Sequence, residues 1–295
     1  MTGMKTLRIG FPSGSLQDST LNLFARAGYK VRLPSRSYVP QIDDPELEGL
    51  MFRSQEIAKY VARGVVDVGF TGKDWIIENG ADVEELGELV YSKSTSNPVK
   101  WVIAVPEDSE ITSIADLQGK RIATELVGVT RAYLAEHGVE AEVEFSWGTT
   151  EAKPGIPGLV DAIVELTETG SSLRANRLRI IDTLFESTTR FIANKQSWAD
   201  SWKREKAQNL MLLVRGALEA EAKVGLKMNV PRTKLDTLIA ALPALHTPTI
   251  SNQLDDDWVA LEIITDEKVV RELIPQLKKS GAEGIIEYPL NKVVY

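Results

Sequence analysis

Short apolar runs alternate with amphipathic stretches through the first two-thirds of the chain. Residues 7–11 read as a strand. The segment after them puts Leu16, Leu23, Phe24 and Ala27 on one side of a helix that Gly28 stops. Ser54 is expected to cap a second helix, which carries Ile57, Ala58 and Val61 and ends at Gly64. Residues 65–70 form the next strand, followed by Thr71-Gly-Lys-Asp74 and a short helix. Residues 101–105 and 121–124 are further strands, and 130–136 a helix. Such alternation predicts parallel sheets covered by helices.

Residues 200–222 read as one long connecting helix. The tail then follows a β-α-β-β-α-β order: strand 225–230, helix 233–242, strands 249–254 and 258–264, helix 267–279, strand 284–288. That order is the ferredoxin-like motif, small enough to be an appended domain.

In the body, similar loops follow three strands: Pro12-Ser-Gly-Ser-Leu16, Thr71-Gly-Lys-Asp-Trp75 and Thr169-Gly-Ser-Ser172. Open α/β sheets bind ligands at the carboxyl ends of their strands. Val66-Asp-Val68 and Val160-Asp-Ala162 also echo each other, so a two-lobed body with its ligand in the cleft is the simplest geometry. The third loop carries the most chemistry. Asp161 and Glu165 precede it, and backbone N–H groups at a helix start, joined by hydroxyls, suit a phosphate. Carboxylates beside a phosphate suit sugar hydroxyls or hydrated Mg2+, so a sugar phosphate fits the whole segment. It is neither a Walker loop, lacking Gly-Lys-Ser/Thr, nor a dinucleotide fingerprint. The competing reading of its Ser and Thr is a plain helix cap.

Composition narrows the classes. A chain of 295 residues favours two domains. Without cysteine there is no disulfide or thiolate metal site, and His137 and His246 alone do not make a zinc centre. The net charge of −8 argues against nucleic acid as partner. The N-terminus has no signal-peptide core and no run suits a membrane span, so a cytoplasmic protein is expected. An acidic protein that binds polyphosphate must gather cations locally, borrow Mg2+ or use backbone dipoles.

The chain resembles the ATP phosphoribosyltransferase family in its long form. The likeness rests on the first loop, Phe52-Arg53, Val66-Asp-Val-Gly-Phe-Thr-Gly-Lys-Asp74, Gly119-Lys-Arg-Ile-Ala-Thr124 and above all Asp161-Ala-Ile-Val-Glu-Leu-Thr-Glu-Thr-Gly-Ser-Ser-Leu173. In the tail it rests on Leu242-Pro-Ala-Leu-His-Thr-Pro-Thr-Ile250 and Gly281-Ala-Glu-Gly-Ile285. The resemblance implies an α/β fold. A two-lobed periplasmic-binding-protein-like catalytic body would span 1–217, its second lobe about 97–190, and a ferredoxin-like (ACT-like) regulatory domain 218–295. It implies transfer of the phosphoribosyl group of phosphoribosyl pyrophosphate to N1 of ATP with Mg2+, release of pyrophosphate, and feedback inhibition by histidine in a homo-oligomer, dimer and hexamer.

Carried over residue by residue, Thr169, Gly170, Ser171 and Ser172 would cradle the 5-phosphate between Glu168 and Leu173. Asp161 and Glu165 would hold ribose hydroxyls or metal-bound water, and Arg53 would meet a phosphate. Gly14 in the first loop, Lys73 and Asp74 in the second, and Glu151 would border the cleft. Asn229, Leu245, Thr249 and Gly284 would line the histidine pocket. Trp147 reads as packing rather than an adenine stacker. Three departures stand out: Ser13-Gly14-Ser15 lacks the cation many relatives carry, Glu165 replaces the usual Asp, and Asn229 replaces the Asp of some relatives. Two other classes compete: a two-lobed solute-binding protein, against which the missing signal peptide and the Asp161/Glu165 pair tell, and a non-catalytic histidine-sensing paralogue.

Overall fold

A computed structural model describes residues 5–35, 37–91, 97–240, 242 and 247–295. It divides into two compact units, Met1–Asn22 with Tyr29–Met211, and Leu23–Gly28 with Leu212–Tyr295. The long helix Ser201–Glu219 runs through the division.

The first unit is α/β and holds two five-stranded sheets. In one, the strands lie side by side in the order Leu47–Arg53, Leu7–Ser13, Val68–Gly72, Thr189–Ala193, Glu84–Leu89. In the other the order is Leu178–Ser187, Val99–Pro106, Ala162–Thr167, Arg121–Thr124, Glu142–Phe145. Each sheet is a lobe with its own core. Helix Ser54–Ala62 buries Ile57, Ala58 and Val61 against Val66 and Ile192 in the first. Trp101, Ile103, Ile122, Leu134 and Val164 centre the second.

The expectation of parallel sheets needs correcting. The first three strands of the first lobe are parallel, but Thr189–Ala193 runs antiparallel to both its neighbours. In the second lobe Val99–Pro106 runs antiparallel to both of its neighbours. Chain that leaves one lobe and returns to it must re-enter reversed, which local patterning does not reveal. The helix boundary also differs. Ser54 is the first helical residue, and Arg53 occupies the cap position without a side-chain cap.

The echo between Val66-Asp-Val68 and Val160-Asp-Ala162 is structural. The Asp67 amide donates to the Arg8 carbonyl at 2.9 Å, and the Arg8 amide donates back to the Asp67 carboxylate at 2.8 Å. The Asp161 amide donates to the Arg121 carbonyl at 2.9 Å, and the Arg121 amide to the Asp161 carboxylate at 2.8 Å. Both acids fasten the amino end of one strand to the next. Asp67 is fully buried and also accepts from Lys203 Nζ and Ser197 Oγ, each at 2.7 Å. Burial alone would push its carboxyl up, but bonds from Lys203, Arg8 and Ser197 outweigh that and hold it at about 2. Its stabilising effect is therefore complete above the unfolded value near 4 and fades as pH falls toward 2. Replacing Asp67 by Ala takes the buried partner from two partly exposed cations, a loss of about 2–3 kcal/mol. Thermal unfolding at pH 7 should fall by roughly 10 °C, with the gap to the parent narrowing near pH 2. An unchanged midpoint at pH 7 would refute this role.

The second unit carries a four-stranded antiparallel sheet in the order Thr249–Asn252, Trp258–Asp266, Lys223–Pro231, Glu283–Pro289. Helices Leu235–Ala240 and Glu267–Lys279 complete the β-α-β-β-α-β order. Leu226, Met228 and Val230 alternate with exposed Lys227 and Asn229, so one face meets Leu238, Val270, Leu273 and Leu277 and the other stays open.

Candidate active site

A cavity of about 270 Å³ opens in the first unit at the carboxyl ends of its strands. The strand Leu7–Ser13 delivers Ser13 and Gly14, and Leu47–Arg53, paired beside it residue for residue, delivers Arg53. Gly14 has φ +93°, open to glycine at little cost, and Nη1 of Arg53 lies 3.3 Å from where a Cβ would stand on it. Arg53 thus covers the first loop and supplies the charge that Ser13-Gly14-Ser15 lacks. From the second lobe come Glu125, Glu165 and Glu168. Glu125 was not read as a site residue; it directly follows the strand Arg121–Thr124, and its carboxylate accepts from Gln55 Nε2 at 3.1 Å.

Glu165 is half-buried. Among the described residues its carboxylate accepts the Leu166 amide, at 3.0 Å, and the Thr150 hydroxyl. Desolvation first, then the neighbouring charges of Glu151 and Glu125, push it up to about 7. A carboxylate in that position gains from any cation or hydroxyl brought close.

The third loop adjoins the cavity. Gly170 has φ +71°, and its amide is received by Thr167 Oγ1 at 2.8 Å. Thr169 donates to Ser171 Oγ at 3.1 Å, and Ser172 donates to Glu151, which so borders the loop. Thr169, Ser171 and Ser172 are exposed. Leu173 is 1% exposed and anchors the loop in the core rather than facing a ligand.

Other site expectations are corrected by position. Asp161 stands at the amino end of its strand, about 13 Å from Glu165 along an extended chain, and its carboxylate is engaged by Arg121. Lys73 is ion-paired with Glu85 and does not line the cavity. Asp74 does line it but is 3% exposed, accepting from Trp101 Nε1 at 2.8 Å and Ser187 Oγ at 3.0 Å. Burial raises its carboxyl. Asp74 therefore ties the first lobe to the strands that enter and leave the second. Trp147 is 92% exposed, its ring meeting Phe145 edge-on at 4.8 Å, and is not a core residue.

In the second unit, Asn229 and Gly284 sit side by side. Nδ2 of Asn229 lies 3.3 Å from where a Cβ would stand on Gly284, which has φ +58°. Thr249 lies on the opposite edge strand. Leu245 falls outside the described residues.

Among the described residues no group of three or more His, Cys, Asp or Glu could hold a metal, and no helix is long and apolar enough to cross a membrane.

Comparison with known proteins agrees with this geometry. The model of a family described as ATP phosphoribosyltransferase matches residues 53–216, and that of the HisG C-terminal domain matches 220–292. The ATP phosphoribosyltransferase of Chlorobium chlorochromatii is 61% identical, over 98% of this chain and 98% of that one. That of Thermodesulfovibrio yellowstonii is 58% identical, over 98% and 99%. Among solved structures, the ATP phosphoribosyl transferase (HisG:HisZ) complex from Thermotoga maritima superposes with a TM-score of 0.63 at 27% identity, covering 73% of this chain and all of that one.

Proposed function

Because the chain belongs to the ATP phosphoribosyltransferase family, we propose how its own residues carry that reaction. The enzyme transfers the phosphoribosyl group of phosphoribosyl pyrophosphate to N1 of ATP, the first step of histidine biosynthesis. The N1 lone pair attacks ribose C1, the C1–O bond breaks, and pyrophosphate leaves with the electron pair. Adenine N1 is already nucleophilic, so no serine or cysteine nucleophile is needed. What the protein must do is hold the sugar and balance the leaving charge.

The observation that carries the reading is the pairing, in one cavity, of Arg53 over Gly14 with Glu165 and Glu168 beside the third loop. Thr169, Gly170, Ser171 and Ser172 receive the 5-phosphate, with Glu151 steadying Ser172. Glu165 accepts from ribose hydroxyls, and Arg53 meets the polyphosphate. Asp74 positions the lobes. Asp161, Lys73 and Leu173 are left out of ligand contact.

The family works with a divalent metal. The absence, among the described residues, of an all-protein cluster fits Mg2+, which prefers one or two carboxylates with substrate phosphates. Glu165, short of a cation in its half-buried site, is the carboxylate best suited to face it. When bound, the ion neutralises charge on the leaving pyrophosphate.

We assign the second unit to inhibition by histidine, which requires two states of different affinity and so suits a homo-oligomer, dimer and hexamer, in the cytoplasm. Thr249 lies on one edge strand of the sheet, Gly284 on the other, and Asn229 on the inner strand beside Gly284. Asn229→Ala should raise the histidine needed for half-inhibition about tenfold and leave uninhibited turnover unchanged. Unchanged inhibition would remove Asn229 from the pocket.

The direct test supplies ATP, phosphoribosyl pyrophosphate and Mg2+ with a pyrophosphatase and follows adenine absorbance, with and without histidine. Turnover slowed by histidine is expected; absence of turnover would overturn the reading.

A further inference from the structure

The third loop needs a cation. A sugar phosphate brings close to two negative charges into a neighbourhood that already holds Glu151, Glu165 and Glu168. Like charges a few ångströms apart repel strongly at the effective dielectric of a protein surface. The loop's own side-chain donors do little to offset this. The Ser172 hydroxyl is given to Glu151, the Thr169 hydroxyl to Ser171, and the Gly170 amide to Thr167. Lys153, the nearest lysine in sequence, donates to Ser146 Oγ at 2.8 Å.

Arg174 meets the need. It lies in the short helix Ser171–Ala175, and its amide closes back onto the Gly170 carbonyl at 3.1 Å. Its side chain folds over the loop, so that Nη1 lies 2.8 Å from where a Cβ would stand on Gly170. No other residue type at 170 would leave the guanidinium that room. Among the described residues no ion pair or side-chain hydrogen bond of the guanidinium is found. The first loop repeats the arrangement, with Arg53 Nη1 3.3 Å from the Cβ position of Gly14. Each loop is thus a left-handed glycine with an arginine laid across it.

From the fold of its side chain over Gly170, we infer that Arg174 is a substrate-binding residue, its guanidinium meeting the 5-phosphate of phosphoribosyl pyrophosphate in the third loop. The inference rests on the assignment of that loop to the 5-phosphate. Arg53 and Arg174 then divide the substrate: one takes the polyphosphate end, the other the monoester end. Planar two-pronged donors match phosphate oxygens well, and a lysine would reproduce the charge without the fork.

The experiment compares Arg174→Ala, Arg174→Lys and Thr169→Val, measuring KM for each substrate and inhibition by ribose 5-phosphate and by pyrophosphate. Arg174→Ala should raise KM for phosphoribosyl pyrophosphate at least tenfold and weaken ribose 5-phosphate by a similar factor, the scale of a lost charged hydrogen bond. KM for ATP and inhibition by pyrophosphate should stay within twofold, and Arg174→Lys should recover part of the loss. If Thr169→Val weakens ribose 5-phosphate and Arg174→Ala does not, the inference falls and the loop assignment stands. If Arg174→Ala weakens pyrophosphate instead, the guanidinium serves the other end and the inference falls. If neither variant changes ribose 5-phosphate, the loop assignment falls with it. Arg174 is exposed, and preserved histidine inhibition would show that the variants are folded.

Discussion

Arg53→Ala should lower kcat/KM by about two to three orders of magnitude, the largest loss expected of any single substitution in the cavity. Among the described residues lining it, Arg53 is the one cation, set against Asp74, Glu125, Glu165 and Glu168. Pyrophosphate must gather negative charge in that company as the C1–O bond breaks. Removing the guanidinium subtracts attraction and leaves the acids unopposed, so both ground-state binding and the transition state suffer. Arg53→Lys should recover only part, because a point charge does not reproduce the fork. The loss should shrink with added salt if Arg53 acts only through screened long-range attraction, and be nearly salt-independent if the contact is direct. A change of less than threefold in kcat/KM would show that the polyphosphate lies elsewhere. Arg53 is exposed and serves a helix as its first flanking residue without a side-chain cap, so stability should hardly move.

Glu165→Gln should cost about 10- to 100-fold in kcat/KM for phosphoribosyl pyrophosphate at pH 8, the range for a lost charged hydrogen bond to a hydroxyl. At pH 6 the difference should shrink. Burial and neighbouring acids push this carboxyl up to about 7, so much of it is already protonated there. The parent enzyme should therefore gain activity through a limb near pH 7 that the variant lacks. A bound metal or sugar would draw that limb downward, so kcat should rise at lower pH than kcat/KM. Stability runs the other way. The folded value exceeds the unfolded one near 4.5, so the folded state binds more protons between them and stability declines as pH rises through that window. The cost of holding the charge at pH 8 is on the order of 3 kcal/mol. Glu165→Gln should accordingly melt higher than the parent at pH 8 and nearly equal to it at pH 4.5. A variant that retains the limb near pH 7, with parental activity at pH 8, would sink the assignment.

Much of this was legible in the chain. The strand Arg121–Thr124 and the helix Glu267–Lys279 have the bounds their periodicity predicts, and the tail follows the expected order of elements. Gly28, Gly64 and Gly170 all adopt the left-handed backbone that their places after elements suggest. Other strands were hidden for identifiable reasons. Glu84–Leu89 is half acidic and largely uncovered, so no apolar alternation marks it. Leu178–Ser187 has register shifts at two points, which break the period of two. Leu47–Arg53 carries a glycine mid-strand where Pro40 packs, with a Cβ position only 2.5 Å away.

The site was legible in part. Gly14, Arg53, Glu165 and Glu168 do share a cavity. Asp161 is near Glu165 in sequence, but four residues of extended chain set it just ahead of a strand in whose second half Glu165 lies. Asp74 is expected to border the cleft and lines the cavity, yet its partners Trp101 and Ser187 come from distant segments that no local pattern announces. Arg174 escaped notice because only the left-handed turn at Gly170 brings its side chain back over the loop.

The matched fastenings at Asp67 and Asp161 sort each lobe into a footing and a rim. Arg8 and Arg121 give their amides to those acids, while Arg53 ends its strand and Glu165 lies in the second half of its own. The fastenings thus lie about a strand's length from the proposed site, and a substitution among the rim loops should leave the footing undisturbed. A scaffold divided in this way can exchange its cargo by rewriting a few turns, because Asp67 and Asp161 act as rivets away from them.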